Sequence, residues 1–181
     1  MLKLIETGIK DLYIIEPEVF GDNRGYFMES YNKNTFLKLG LDYDFVQDNQ
    51  SKSKKGVLRG LLFQKKYPQA KLVRVIEGEV FDVAVDLRKN SPTFGKWFGV
   101  LLSEENKRMF MIPRGFAHGF VVLSESATFT YKCDEFYHPE DEGGINWNDK
   151  EIDIKWPIDF EPILSEKDKR HPCLKEVKLD F

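Results

Sequence analysis

Six charged residues stand inside strand-like sequence between Gly56 and Arg88: Arg59, Lys71, Arg74, Asp82, Asp86 and Arg88. Two readings fit them. A half-solvated sheet face carries such charges without chemistry. A β-barrel mouth lined with cations would instead hold an anionic ligand. The two cysteines, Cys133 and Cys173, form no CxxC motif, and there is no His-rich tract. Neither a disulfide framework nor a zinc site follows from them, and a reducing cytosol is the natural setting.

The elements that must position these charges are strands. Val57–Gln64 and Lys71–Leu87 are apolar and β-branched, and Glu77-Gly78-Glu79 reads as a tight turn that makes Lys71–Leu87 a hairpin. Before them, Leu12–Pro17 reads as a strand, Phe20–Gly25 as an Asx- and Gly-bearing turn, and Tyr26–Tyr31 as an alternating strand. Asn34–Leu39 is a short helix candidate ended by Gly40. Asp44–Gln50 is extended, and Ser51–Lys55 reads as a polar, basic, solvated turn. Farther on, Phe98–Leu102 and Arg108–Ile112 are strands around a turn at Ser103–Lys107, and Phe116–Leu123 and Ala127–Phe136 form a further strand pair. Tyr137–Asp149 is loop-like. In the tail, Ser165 is placed to cap one helical turn. Many short strands and little helix indicate an all-β sandwich or barrel, read here as an antiparallel jelly roll with a short helical C-terminal appendage.

Length and composition agree. A chain of 181 residues is read as a single domain over 1–181, long enough to bury a core without disulfides or metals. Charged residues make up 31% and hydrophobic ones 41%, which excludes a disordered chain. A net charge of −3 gives no global attraction to nucleic acid. The first residues, MLKLIETGIKDLYII, carry no apolar run of signal-peptide length, and no segment approaches the apolar length of a membrane span. A cytoplasmic location is the expectation.

The motifs become specific when read as strings. FGDNRGYFMESYN, FVQDNQSKSKKGVLRGL, QAKLVRVIEGEVFDVAVDLR, SPTFGKWFGVLLSEENKRMFMIPRGFAHGF, YKCDEFYHPEDEGGINWND and ILSEKD, in that order, resemble the dTDP-4-dehydrorhamnose 3,5-epimerase family. The resemblance implies a cupin-like jelly roll, a homodimer that works without a cofactor, and inversion of C3 and C5 of dTDP-4-keto-6-deoxyglucose on the dTDP-L-rhamnose pathway. Both carbons lie α to the C4 ketone. Such chemistry needs a base on one ring face, stabilisation of an enolate oxygen, and a proton donor on the other face. By resemblance Tyr131 is the proton donor and Asp168 the partner of the general base. Arg59, Lys71 and His118 bind substrate. Arg24, Glu29, Gln47, Asp48, Asn49, Glu142 and Lys167 bind the nucleotide, and Phe20 is a candidate to stack on thymine. The N-terminal members of this set reach across the dimer in relatives, so shared sites are expected. Many cupin relatives bind metal through paired histidines. His118, His138 and His171 form no HxH pair, so a metal centre is not expected.

Two features bear on mechanism. Arg59 and Leu62 are three residues apart, so a regular pleat would put them on opposite faces. If both line the site, a bulge is expected at Gly60. And Leu62 stands where the family pattern Arg-Gly-Leu-His-aromatic-Gln carries its general-base histidine. Leucine has no lone pair to accept a proton. Three readings stand: an impaired or non-catalytic member that still binds sugar nucleotide; a substitute base, either His118 or an Asp168 left without its imidazole; or an engineered change or sequence error in an ordinary epimerase. A related ketoisomerase or single-position epimerase would equally need some base.

Overall fold

The computed structural model describes residues 1–179. Thirteen strands occur in chain order: β1 (Lys3–Glu6), β2 (Tyr13–Glu16), β3 (Val19–Asp22), β4 (Gly25–Met28), β5 (Gln47–Lys54), β6 (Leu58–Gln64), β7 (Lys71–Glu77), β8 (Glu79–Asp86), β9 (Trp97–Ser103), β10 (Met109–Ile112), β11 (Phe116–Val122), β12 (Ser126–Cys133) and β13 (Glu142–Gly144). One helix, α1 (Lys33–Lys38), follows β4; the Asn32 side chain caps it by accepting from the Thr35 N–H. The strands form a six-stranded sheet in the order β1-β2-β10-β7-β12-β5 and a five-stranded sheet in the order β13-β6-β11-β8-β9. Every pairing within the sheets is antiparallel. This is the expected all-β jelly roll. The tail supplies the helical appendage as single 3-10 turns at Asp168–Arg170 and Leu174–Glu176.

Strand parity decides what faces the interior. Val73 and Val75 of β7, Phe110 and Ile112 of β10, and Ala127 and Phe129 of β12 meet Val80 and Ala84 of β8 and Phe116, Phe120 and Val122 of β11 in one core between the sheets. The opposite parity is also buried. Leu61, Phe63, Val83, Val85 and Ala117 are covered by Ile152, Ile154 and Leu174 of the C-terminal segment. Ile15, Leu72, Met109 and Met111 are covered by Phe36 of α1 and by Leu41. Both sheets are thus clad on both faces. That is why β8 and β11 read as near-continuous apolar runs rather than alternating ones.

Three expectations about pairing fail for one reason. Glu77-Gly78-Glu79 is no hairpin turn: β7 pairs with β10 and β12, whereas β8 pairs with β11 and β9. Gly78 is where the chain crosses from one sheet to the other. It has φ +84, and a Cβ there would sit 2.1 Å from the Ser126 carbonyl oxygen. Likewise β11 and β12 lie in different sheets and are not partners. Ser51–Lys54 belongs to β5 rather than to a solvated turn. β12 supplies its partners from Ser126↔Lys54 to Cys133↔Gln47, and the charges suit a sheet edge.

The bulge at Gly60 is present. In the β6–β11 ladder His118 pairs with Leu62 and Phe120 with Arg59, so Gly60 and Leu61 together oppose Gly119. The extra residue restores Arg59 and Leu62 to the same face. Gly60 has φ +123, and a Cβ would fall 2.6 Å from both the Gly119 Cα and the His118 carbonyl oxygen. Glycine is required there twice over, by conformation and by space.

Candidate active site

At one end of the interior the apolar core gives way to a cavity of about 520 Å³. Its walls come from both sheets and from the tail. β6 gives Arg59 and Leu62, β11 gives His118 and Phe120, β7 gives Lys71, and β12 gives Phe129 and Tyr131. Asn49 comes from β5, Glu142 from β13, and Ser165, Lys167 and Asp168 from the tail. Each interior-facing polar residue shares its strand's inward parity. Lys71 is in step with Val73 and Val75, Tyr131 with Phe129, and His118 with Phe116 and Phe120.

The hydrogen bonds fix the charged groups. Arg59 Nε donates to Ser53 Oγ at 3.0 Å. His118 Nε2 lies 3.0 and 2.8 Å from the two carboxylate oxygens of Asp82. Both side chains are buried, Asp82 completely. Lys71 Nζ stands 5.6 Å from the centroid of the Tyr131 ring. Lys167 forms an ion pair with Glu142 at the rim. Asp168 is almost fully buried. Its Oδ1 is 3.0 Å from His171 Nε2, and its Oδ2 accepts the Gly60 N–H at 3.3 Å. The Asp168 N–H in turn donates to Ser165 Oγ at 3.0 Å, which is the cap expected of Ser165.

The electrostatics follow from burial. Desolvation pulls the Lys71 ammonium below its ordinary range, opposed by Cys133, Asp82 and Glu142. Desolvation also raises the Tyr131 phenol, so it keeps its proton at neutral pH. Burial raises the Asp82 carboxyl, opposed first by His118 and then by Lys71. The arrangement holds a neutral phenol and a cation on one sheet, and an imidazole and a guanidinium on the other. It can fix an oxyanion between them and present proton-exchanging groups from two sides.

Of the fourteen site residues anticipated from the sequence, nine converge here: Asn49, Arg59, Leu62, Lys71, His118, Tyr131, Glu142, Lys167 and Asp168. Gln47 lies just outside. It donates to Asn49 Oδ1 at 3.1 Å and accepts the Tyr137 N–H at 3.0 Å. Asp48 does not join them. Alternation along β5 turns it to the other face, where it pairs with Lys132 at 3.0 Å. Phe20, Arg24 and Glu29 are also apart from the cavity within one chain. β3 and β4 form their own two-stranded ribbon, Arg24 is paired with Asp22, and Phe20 and Glu29 border a separate hollow with Phe27.

Sequence reasoning missed two polar partners of the site residues, Asp82 behind His118 and His171 beside Asp168. Asp82 was visible as a charge in a strand, and its parity with Val80 and Ala84 was the signal that it faces inward. His171 follows Asp168 by three residues, which puts both on one side of a helical turn. Asp168 is therefore not left without an imidazole: His171 supplies one. A Cβ on Gly144 would fall 2.3 Å from the His171 ring, so that glycine leaves room for it. Among the described residues no group of three or more His, Cys, Asp or Glu side chains is placed to hold a metal ion, and no helix is long and apolar enough to cross a membrane.

Comparison with known proteins identifies the family. The family model for dTDP-4-dehydrorhamnose 3,5-epimerase matches residues 6–176. The dTDP-4-dehydrorhamnose 3,5-epimerase of Salmonella typhimurium is 59% identical over 181 residues, covering 99% of each chain. The crystal structure of dTDP-6-deoxy-D-glucose-3,5-epimerase from Legionella pneumophila, in complex with dTDP-4-keto-L-rhamnose, superposes with a TM-score of 0.96 at 52% identity. That match covers 98% of this chain and 95% of the other. The dTDP-4-dehydrorhamnose 3,5-epimerase of Elizabethkingia anophelis gives a TM-score of 0.92 at 60% identity, covering 96% and 97%. The chain belongs to the dTDP-4-dehydrorhamnose 3,5-epimerase family, with its cupin-like jelly roll.

Proposed function

We propose that the protein binds a dTDP-linked 4-keto-6-deoxy sugar and inverts C3 and C5, with proton abstraction slowed because Leu62 lines the cavity where relatives carry a base. The observation that carries this reading is the cavity itself. It keeps two cations, Arg59 and Lys71, a protonated phenol and an imidazole around one space, and the wall at Leu62 is apolar. Lys71 and Arg59 hold the C4 oxygen as negative charge develops on it. Tyr131 donates to the carbon from the six-stranded sheet. Lys167, Asn49 and Glu142, with Gln47 just behind Asn49, serve the nucleotide end. A bound dTDP-4-keto-L-rhamnose in the Legionella relative supports this ligand class. The reaction needs no cofactor, since the ketone already acidifies both α-carbons.

The active form is a homodimer of a single 1–181 domain, working in the cytoplasm. In it Phe20, Arg24 and Glu29 of one copy complete the nucleotide site of the other. The exposure of Phe20, Tyr26 and Phe27 on an unpaired ribbon supports this. The test is solvent exchange of the 4-keto substrate in deuterated water, with product analysis at C3 and C5. The parent protein should bind dTDP and incorporate deuterium about 10²–10⁴-fold more slowly than the Leu62→His variant. Equal rates would show that residue 62 is immaterial. Failure to bind dTDP would remove the reading altogether.

A further inference from the structure

A cavity that trades protons at carbon needs an acceptor on the side away from the Tyr131 phenol. The titratable groups around the cavity differ in what they have left to offer. Glu142 is committed to Lys167. Asp168 has Oδ1 engaged by His171 and Oδ2 by the Gly60 N–H. Lys71 and Tyr131 stand side by side on the six-stranded sheet, so they serve the same side.

His118 differs from all of them. Its Nε2 sits between both oxygens of Asp82, at 3.0 and 2.8 Å. A ring N–H donating to an ionised carboxylate makes such a two-oxygen contact; a protonated carboxyl would turn its hydroxyl to the ring through one oxygen. With Nε2–H donating to Asp82, a neutral ring carries its lone pair on Nδ1. No described residue hydrogen-bonds Nδ1, and His118 lines the cavity. His118 is also the direct cross-strand partner of Leu62. The two Cβ atoms of such a pair are about 4.5–5.5 Å apart on one sheet face.

We propose that His118, held by Asp82, is the base that abstracts the sugar proton in this protein, acting from the strand beside Leu62. The inference rests on the sugar-nucleotide reading above and adds the acceptor to it. The Nδ1 lone pair takes the proton from C3 or C5. The C–H electron pair becomes a carbon–carbon double bond to C4, and the carbonyl pair moves onto O4 beside Lys71 and Arg59. The new imidazolium is balanced by Asp82. Tyr131 then gives its phenolic proton to the carbon from the facing sheet, O4 returns to a carbonyl, and the imidazolium proton passes through solvent to the phenolate. Asp82 is the positioning residue of this pair, since it fixes the tautomer.

The experiment is a double-mutant cycle on deuterium exchange, with dTDP affinity measured in parallel by calorimetry. His118→Gln keeps an amide able to donate to Asp82, and His118→Asn serves as the second variant. With Leu62 present, either change should lower exchange at least about 100-fold. In the Leu62→His background, where residue 62 supplies its own imidazole, the same change should cost about 10-fold or less. Asp82→Asn should follow the same pattern. Equal factors in the two backgrounds would mean that His118 only holds substrate, and would overturn the proposal. So would a parent protein that binds dTDP but exchanges no deuterium while Leu62→His does. Loss of dTDP binding by the parent would instead strike the underlying sugar-nucleotide reading.

Discussion

Replacing Gly60 by alanine tests the device that brings Arg59 and Leu62 to one face. Two costs are legible. At φ +123 the backbone lies where side chains other than hydrogen are seldom tolerated, about 1–3 kcal/mol. The new methyl would also meet two backbone atoms at 2.6 Å, the Gly119 Cα and the His118 carbonyl oxygen. Neither can retreat without moving the β6–β11 ladder, so an overpacking cost of about 1–3 kcal/mol is added. A total near 4 kcal/mol is a large part of the ~5–15 kcal/mol that holds a domain together. It would lower the melting temperature by roughly 8–16 °C at about 2–4 °C per kcal/mol.

Gly40 supplies the control. It ends α1 at φ +81, and a Cβ placed there would meet nothing within 4 Å, so Gly40→Ala carries the backbone term alone, about 1–2 kcal/mol. Urea denaturation of both variants separates the two terms. Because the ladder carries His118, Gly60→Ala should also weaken dTDP binding while Gly40→Ala should not. Equal destabilisation by the two changes would refute the claim that close approach of β11 is what demands glycine at position 60.

Three further outcomes follow from named contacts. His171→Ala leaves Asp168 Oδ1 unpaired in a nearly closed site and should cost about 1–3 kcal/mol in denaturant unfolding; unchanged stability would mean that water replaces the ring without penalty. Asp86 is completely buried. Burial alone would raise its carboxyl, but hydrogen bonds from Arg88, Ser91 and Thr93 outweigh this and lower it. A depressed folded-state pKa contributes stability that is complete above the ordinary carboxylate value, about 3.9, and is lost as pH falls through the lowered value. Asp86→Asn should therefore destabilise by about 3 kcal/mol at neutral pH, the lower end of the ~3–5 kcal/mol for breaking a buried pair, and should flatten the acid limb of the stability curve. An unchanged acid limb would contradict it. Phe20→Ala should weaken dTDP binding about 10-fold if the aromatic stacks on a base; calorimetry showing equal affinity would place Phe20 outside the nucleotide site.

How much of this was legible in the sequence varies by residue. Strand existence was readable from β-branched runs, and the Gly60 bulge from a three-residue spacing that both side chains had to satisfy. Sheet membership was not. A Gly-bearing turn such as Glu77-Gly78-Glu79 looks the same whether the chain doubles back or crosses to the facing sheet; only the partners of β7 and β8 decide it. The cladding of both sheets compounded this, because it removed the alternation that separates inner from outer faces in β8 and β11.

The same cladding explains why the site was readable in part. Lys71, His118 and Tyr131 were found by motif, but their partners are fixed by packing at a distance: Asp82 reaches His118 from 36 residues away, and Gly60 meets Asp168 across 108. Parity in each strand carries a polar side chain inward only where the apolar core ends. The jelly roll therefore sets Tyr131 with Lys71 on one wall, and His118 with Arg59 on the other. The proposed chemistry adds a proton to one side of a ring and removes one from the other, and the two sheets bring titratable groups to one space from two sides. On the proposed reading, the apolar Leu62 leaves that task to its neighbour in the same sheet, β11, which carries His118, without requiring the opposite sheet to change.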